Sequence, residues 1–136
     1  MGELKTRLAS CRRALASLEE AVEMPFSVIV RDGCIQRFEY SFETTWKLLK
    51  TFLEEQEGIL CHSAKGCFRE ALKAGLLTVE QTELSLEMTD DRNVTSHTYI
   101  EAVAEAIYRR IPSYLTVMSD LLAKIDEAMA EESLDE

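Results

Sequence analysis

One stretch of this chain gathers side chains that can work on a phosphate: Thr89-Asp90-Asp91-Arg92-Asn93-Val94-Thr95-Ser96-His97-Thr98-Tyr99. A guanidinium grips a phosphate through two parallel, permanently charged hydrogen bonds. An imidazole, with an unperturbed pKa of about 6.5, gives or takes a proton near neutrality. Arg92 and His97 are five residues apart, which on an ideal helix sets them about 140° from each other. They converge on one site only where the helix ends or loosens between them. Val94, Thr95 and Ser96 are weak helix formers, so an ending there is reasonable. The plainer alternative pairs Arg92 with Asp90 or Asp91 on the surface and leaves His97 as a helix cap.

The flanking sequence must position this stretch, and it reads as helix. Leu4, Leu8, Cys11, Leu15, Leu18 and Val22 step by fours and threes, the pattern of one buried stripe, and Pro25 follows. Ile35, Phe38, Phe42, Trp46, Leu49 and Leu53 repeat the pattern, with Phe52 widening the stripe. Asp32 is a candidate cap, although the pattern reaches back to Val28, and Gly58 marks the exit. Ser63 is a candidate N-cap for a short third helix and Gly75 its C′ residue. A fourth helix starts near Thr78, with Leu84 and Met88 as its apolar side and Leu77 or Leu86 beside them. The last begins near Glu101 and carries Ile107, Ile111, Leu115, Met118, Leu122, Ile125 and Met129. Pro112 lies inside it and is expected to kink or restart it. No segment alternates with period two over strand length. The expected fold is all-α: an antiparallel bundle of about five helices.

Composition narrows the function classes. At 136 residues the chain has room for one domain, expected over residues 1–130, with an acidic tail at 131–136. The net charge of −10 opposes wholesale nucleic-acid binding. That charge is uneven. Seven acids against Lys124 in residues 119–136 leave −4 for the rest, so a locally basic cleft stays open. Lys65, Arg69 and Lys73 recur every four residues on one helical face and, with Arg31 and Arg37, could hold RNA; the competing reading is a solvated face. No apolar run or leader points to a membrane or to export, so a cytoplasmic protein is expected. A reducing cytosol argues against disulfides among Cys11, Cys34, Cys61 and Cys67. Cys61, His62 and Cys67 lack a paired knuckle, so neither a metal nor another cofactor is expected.

The spacing Arg92-(x4)-His97-x-Tyr99, with Asn93 directly after the arginine, resembles the motif of HepT-like proteins of the HEPN superfamily. Two further blocks agree in order. One is Arg31 to Lys47, centred on Phe38-Glu39-Tyr40-Ser41-Phe42-Glu43. The other is Phe68-Arg69-Glu70-Ala71-Leu72-Lys73-Ala74-Gly75-Leu76-Leu77. The resemblance implies a HEPN-like homodimer with the two motifs facing one cleft, and a small nucleotidyltransferase as partner. It further implies metal-independent RNA cleavage, with His97 as general acid–base and Arg92 stabilising the phosphorus centre. Tyr99 would accept AMP from the transferase, silencing a toxin. Another description of the same family is a substrate-binding subunit of the transferase without activity of its own. Strong salt-sensitive RNA binding would favour the first; tight transferase binding without cleavage would favour the second.

Overall fold

The computed structural model describes residues 2–135, and five helices account for most of them. They are α1 (Gly2–Val22), α2 (Val28–Glu57), α3 (Ala64–Lys73), α4 (Val79–Asn93) and α5 (Glu101–Asp135), with a 3-10 turn at Thr95–His97 before α5. No strand occurs among the described residues, so the fold is the expected all-α bundle. α5 carries the acidic segment from residue 131 onward as helix to Asp135; Glu136 lies outside the described residues.

Local chemistry sets the helix ends. The Ser27 hydroxyl accepts from Val30 N–H at 3.0 Å, so α2 starts at Val28 rather than at Asp32. Gly58 closes α2 at φ 67°, and Gly75 follows α3 at φ 80°; both are left-handed positions that favour glycine. Thr78 and Gln81 cap α4 reciprocally, at 2.9 and 3.1 Å. Pro112 does not restart the last helix. α5 continues through it, held on both sides by fully buried Ile111 and Tyr114. Packing there outweighs the one N–H that proline lacks.

Directions follow from the contacts. Cys11 meets Thr45, the Ala14 carbonyl meets Ser41, and Ser17 meets Tyr40, so α1 and α2 are antiparallel. Gln81 reaches Asp120 and Asp91 reaches Arg110, so α4 and α5 are antiparallel too. α2 and α5 run parallel, with Arg31 beside Glu101 and Phe38 stacked on Tyr114 at 5.5 Å. Phe38, Phe42, Phe68 and Tyr114 form an aromatic centre, with Leu18, Leu48, Leu49, Met88 and Ile107 buried around it. Trp46 is only half-buried, its indole donating to Glu43 at 3.2 Å.

Two expectations need correcting. α4 faces the core with Met88, as expected, but also with Thr82, Ser85 and Thr89, while Leu84 and Leu86 are half-buried. The three hydroxyls bond back to the carbonyls of Thr78, Gln81 and Ser85 at 2.8–2.9 Å, so each is satisfied within its own helix. Cys61 and Cys67 form a disulfide, against the expectation of none. The turn at Gly58 folds the chain back so that Cys61 lies over the first turn of α3, with 5.4 Å between the two Cα atoms. His62 points to solvent. Cys11 and Cys34 are free thiols, and burial pushes both up, which makes them packing residues.

Candidate functional site

α4 delivers Arg92 in its last turn and then stops. The Thr95 hydroxyl donates to the Arg92 carbonyl at 2.8 Å, and the amide of Val94 closes on Asp91 at 3.1 Å. These bonds compete with helix continuation and turn the chain into the 3-10 segment that holds His97. The break between Arg92 and His97 is where weak helix formers were expected to put it. Arg92 faces α2: Nη1 donates to Thr95 Oγ1 at 3.3 Å and lies 3.8 Å from Glu39, and Nη2 lies 3.6 Å from Glu43. Its Nε is buried without a hydrogen-bond partner among the described residues. Gln36, Glu39, Tyr40, Glu43 and Arg92 line a cavity of about 280 Å³.

His97 is not among those lining residues. It is exposed, and its ring lies 6.0 Å from that of Tyr99, nearly edge-on. Tyr99 is 80% exposed, in the short link between the 3-10 turn and α5. Asn93 is exposed at the end of α4. Within one chain, Tyr99 and His97 are thus adjacent, while Arg92 opens onto the α2 side.

The basic residues considered for RNA fare unequally. Lys65 pairs with Asp90 at 2.6 Å and Lys73 with Glu70 at 3.4 Å, while Arg69 is exposed. Arg31 is not a surface cation. It is buried, bonded to Asp32, Glu101 and Glu105, and ties the start of α2 to that of α5. Hydrogen bonding to Glu101 raises the Arg31 pKa and lowers that of Glu101. Arg37 donates to the Ser17 carbonyl at 2.7 Å.

The surface alternative for Arg92 fails on its partners, because Asp90 takes Lys65 and Asp91 takes Arg110. Asp91 is buried beside Arg92 and binds Arg110 through two bonds, Nε at 2.7 Å and Nη2 at 2.9 Å. The buried Tyr114 hydroxyl also donates to Asp91, and lies 3.1 Å from Glu87. Burial, then the bond to Asp91, pushes the Tyr114 phenol far up; the same carboxylate raises Arg110. The network clamps the end of α4 to α5 directly behind Arg92. Its signal was present in the sequence: Glu87 and Asp91 are four apart on α4, and Arg110 and Tyr114 four apart on α5. Glu39 and Glu43 repeat that spacing on α2.

The five-helix bundle thus carries an Arg-(x4)-His-x-Tyr turn leading from its fourth helix into its fifth. The chain belongs to the nucleotidyltransferase substrate binding protein-like family, whose model matches residues 6–127. It is 34% identical over 97 residues to the Probable ribonuclease HepT of Haemophilus influenzae. That match covers 68% of this chain and 65% of the relative's length. Among solved structures, a protein from Thermus thermophilus is 45% identical, with a TM-score of 0.82 over 85% of this chain and 98% of the other. A Haemophilus influenzae protein with the fold of a substrate binding domain of a nucleotidyltransferase is 27% identical, with a TM-score of 0.74 over 88% and 98%. The fold also matches a tri-AMPylated Shewanella oneidensis HEPN toxin in complex with MNT antitoxin, at 14% identity, a TM-score of 0.72 and coverage of 91% and 96%. No helix among the described residues is long and apolar enough to cross a membrane.

Proposed function

We propose that this chain is the metal-independent ribonuclease toxin of a toxin–antitoxin pair, acting as a homodimer and silenced when a partner nucleotidyltransferase transfers AMP to Tyr99. The observation that carries this reading is the exposure of Tyr99, 80%, directly beside His97. A transferase can reach that hydroxyl without unfolding anything. In cleavage, His97 would move protons between the ribose 2′-hydroxyl, water and the leaving oxygen, and Arg92 would hold the phosphate's negative oxygens. Because Arg92 opens toward α2 and His97 lies outside its cavity, a second copy of the chain is the natural source of the complementary half of each site. Attaching AMP to Tyr99 puts a phosphodiester anion and a bulky base beside His97, which closes the site by occupancy and charge.

One observation favours a second reading, that of a substrate-binding subunit of the transferase: Lys65 and Lys73 are neutralised within the chain, leaving little basic surface for RNA. Co-expression with the adjacent nucleotidyltransferase, followed by intact-mass analysis, separates the two. The toxin reading expects added AMP mass on the wild type and none on Tyr99→Phe. Unchanged modification of Tyr99→Phe, or none with a demonstrably active transferase, leaves the binding subunit.

A further inference from the structure

Among the described residues, Arg92 Nε is the one buried side-chain nitrogen or oxygen without a hydrogen-bond partner. The rest of the guanidinium is also poorly satisfied. An arginine offers five donors, and among the described residues its one hydrogen bond is that to Thr95 at 3.3 Å. Glu39 and Glu43 stand at 3.8 and 3.6 Å, outside hydrogen-bonding range. The same protein builds a tight pair one helix away, where Arg110 grips Asp91 at 2.7 and 2.9 Å. Glu43 is moreover held from behind, accepting the Trp46 indole N–H at 3.2 Å with the Lys47 ammonium 3.8 Å away. Two carboxylates thus stand beside the guanidinium in the lining of a 280 Å³ cavity, close enough to neutralise it and too far to satisfy it.

We infer that Glu39 and Glu43 are built-in counter-ions that occupy Arg92 until an RNA phosphodiester displaces them. The inference rests on the reading of Arg92 as the phosphate-holding residue, and it adds what competes for that residue. A phosphate oxygen pair set against the two Nη groups makes the short bonds that neither carboxylate makes at 3.8 and 3.6 Å. A ligand that cannot reach that edge gains nothing over the glutamates already present. The arrangement therefore lowers general affinity for anions and reserves Arg92 for a strand seated in the cavity.

The test measures binding rather than cleavage. The probe is a short fluorescent single-stranded 2′-O-methyl oligoribonucleotide, which lacks the hydroxyl needed for self-cleavage, followed by anisotropy at one fixed salt concentration. The Glu39→Gln/Glu43→Gln double variant should bind about three- to tenfold more tightly than wild type, the scale of releasing two loose ion pairs. Adding Arg92→Ala should abolish the gain. Glu131→Gln/Glu132→Gln removes the same charge about 30 Å along α5 from Arg110, which holds Asp91 beside Arg92, and should leave the affinity within about twofold, the change expected beyond the screening length. Glu39→Gln alone, which leaves the Trp46 and Lys47 contacts of Glu43 intact, should show a smaller gain in the same direction if the double variant fails to fold. The inference is overturned by unchanged or weaker binding in the glutamine variants, by a gain that survives Arg92→Ala, by an equal gain from the distant pair, or by no binding in any form. Absence of cleavage would sink the ribonuclease reading while leaving these binding differences intact, so the two failures are distinguishable.

Discussion

At the scale of single residues, Arg92 and His97 differ in what surrounds them, and that difference predicts how each responds to substitution. His97 is exposed and outside the core. His97→Ala should therefore leave thermal stability within about 0.5 kcal/mol of wild type, as surface substitutions do. If His97 is the proton-transfer group, RNA cleavage should fall by at least about 100-fold. Arg92→Lys keeps the charge and loses the two-pronged contact, so cleavage should also be severely impaired, while the oligonucleotide is still attracted. EDTA should change neither rate. Gel-based cleavage assays on purified variants check all three, and undiminished cleavage by His97→Ala would remove it from the mechanism.

At the scale of elements, two ion-pair networks hold the turn that carries His97 and Tyr99. The first joins α4 to α5 through Asp91, Arg110 and Tyr114. Asp91→Ala would leave the Tyr114 hydroxyl short of a partner in the core and Arg110 without its bidentate acceptor. We expect a loss of about 2 kcal/mol in urea unfolding, at the lower end for a broken buried pair because Arg110 remains 41% exposed. Tyr114→Phe removes one hydroxyl with its ring packing intact and should cost about 1 kcal/mol. If the two costs simply add in the double variant, the network is not coupled. The second network joins α2 to the start of α5 through Arg31 and Glu101. The bond from Arg31 lowers the Glu101 pKa, so the folded carboxyl titrates below its unfolded range of about 4.3. Its stabilisation is present above that range and disappears as pH falls through the lowered folded value. The Tm gap between wild type and Glu101→Gln should therefore be widest above about pH 4.5 and should close toward acid. A gap constant from neutral to acid pH would mean that the pair contributes nothing through charge.

At the scale of the whole molecule, exposed apolar side chains concentrate at one end of the bundle. Met24, Phe26, Val28 and Ile29 follow one another across the α1–α2 corner, with Ile29 85% exposed. The Phe26 ring lies 5.7 Å from that of Tyr108, which brings this corner against α5, whose start is preceded by exposed Tyr99 and Ile100. Apolar surface of this kind is commonly covered by another chain. We expect a dimer by light scattering at micromolar concentration, shifted toward monomer by Ile29→Glu. A strictly monomeric wild type would remove the shared site from the proposed function. The net charge of −10 acts at this scale as well: it repels RNA at long range and salt screens that repulsion, so with few cations in contact, binding should weaken only shallowly with salt.

The order and class of the helices were legible in the sequence because helix formation is largely local. The stripes of α1, α2 and α5 recur at helical spacing, and Ser63, Thr78, Gly58 and Gly75 sit where the structure uses them. The Arg-(x4)-His-x-Tyr spacing marked the candidate site, and the weak helix formers inside it marked the break. Partner choice was not legible. Arg31 and Lys65 looked like free cations, and only the docking of α2 on α5 and of α3 on α4 supplied their carboxylates. Asp91 looked like the counter-ion of Arg92 until the antiparallel packing of α4 and α5 gave it to Arg110. Cys61 and Cys67 looked unpaired until the chain reversal after Gly58 brought them together. Side-chain periodicity is written along the chain, whereas ion pairs and disulfides form between segments distant in sequence or turned back on themselves. Which groups meet depends on helix direction and register, and those are decided only when the bundle closes.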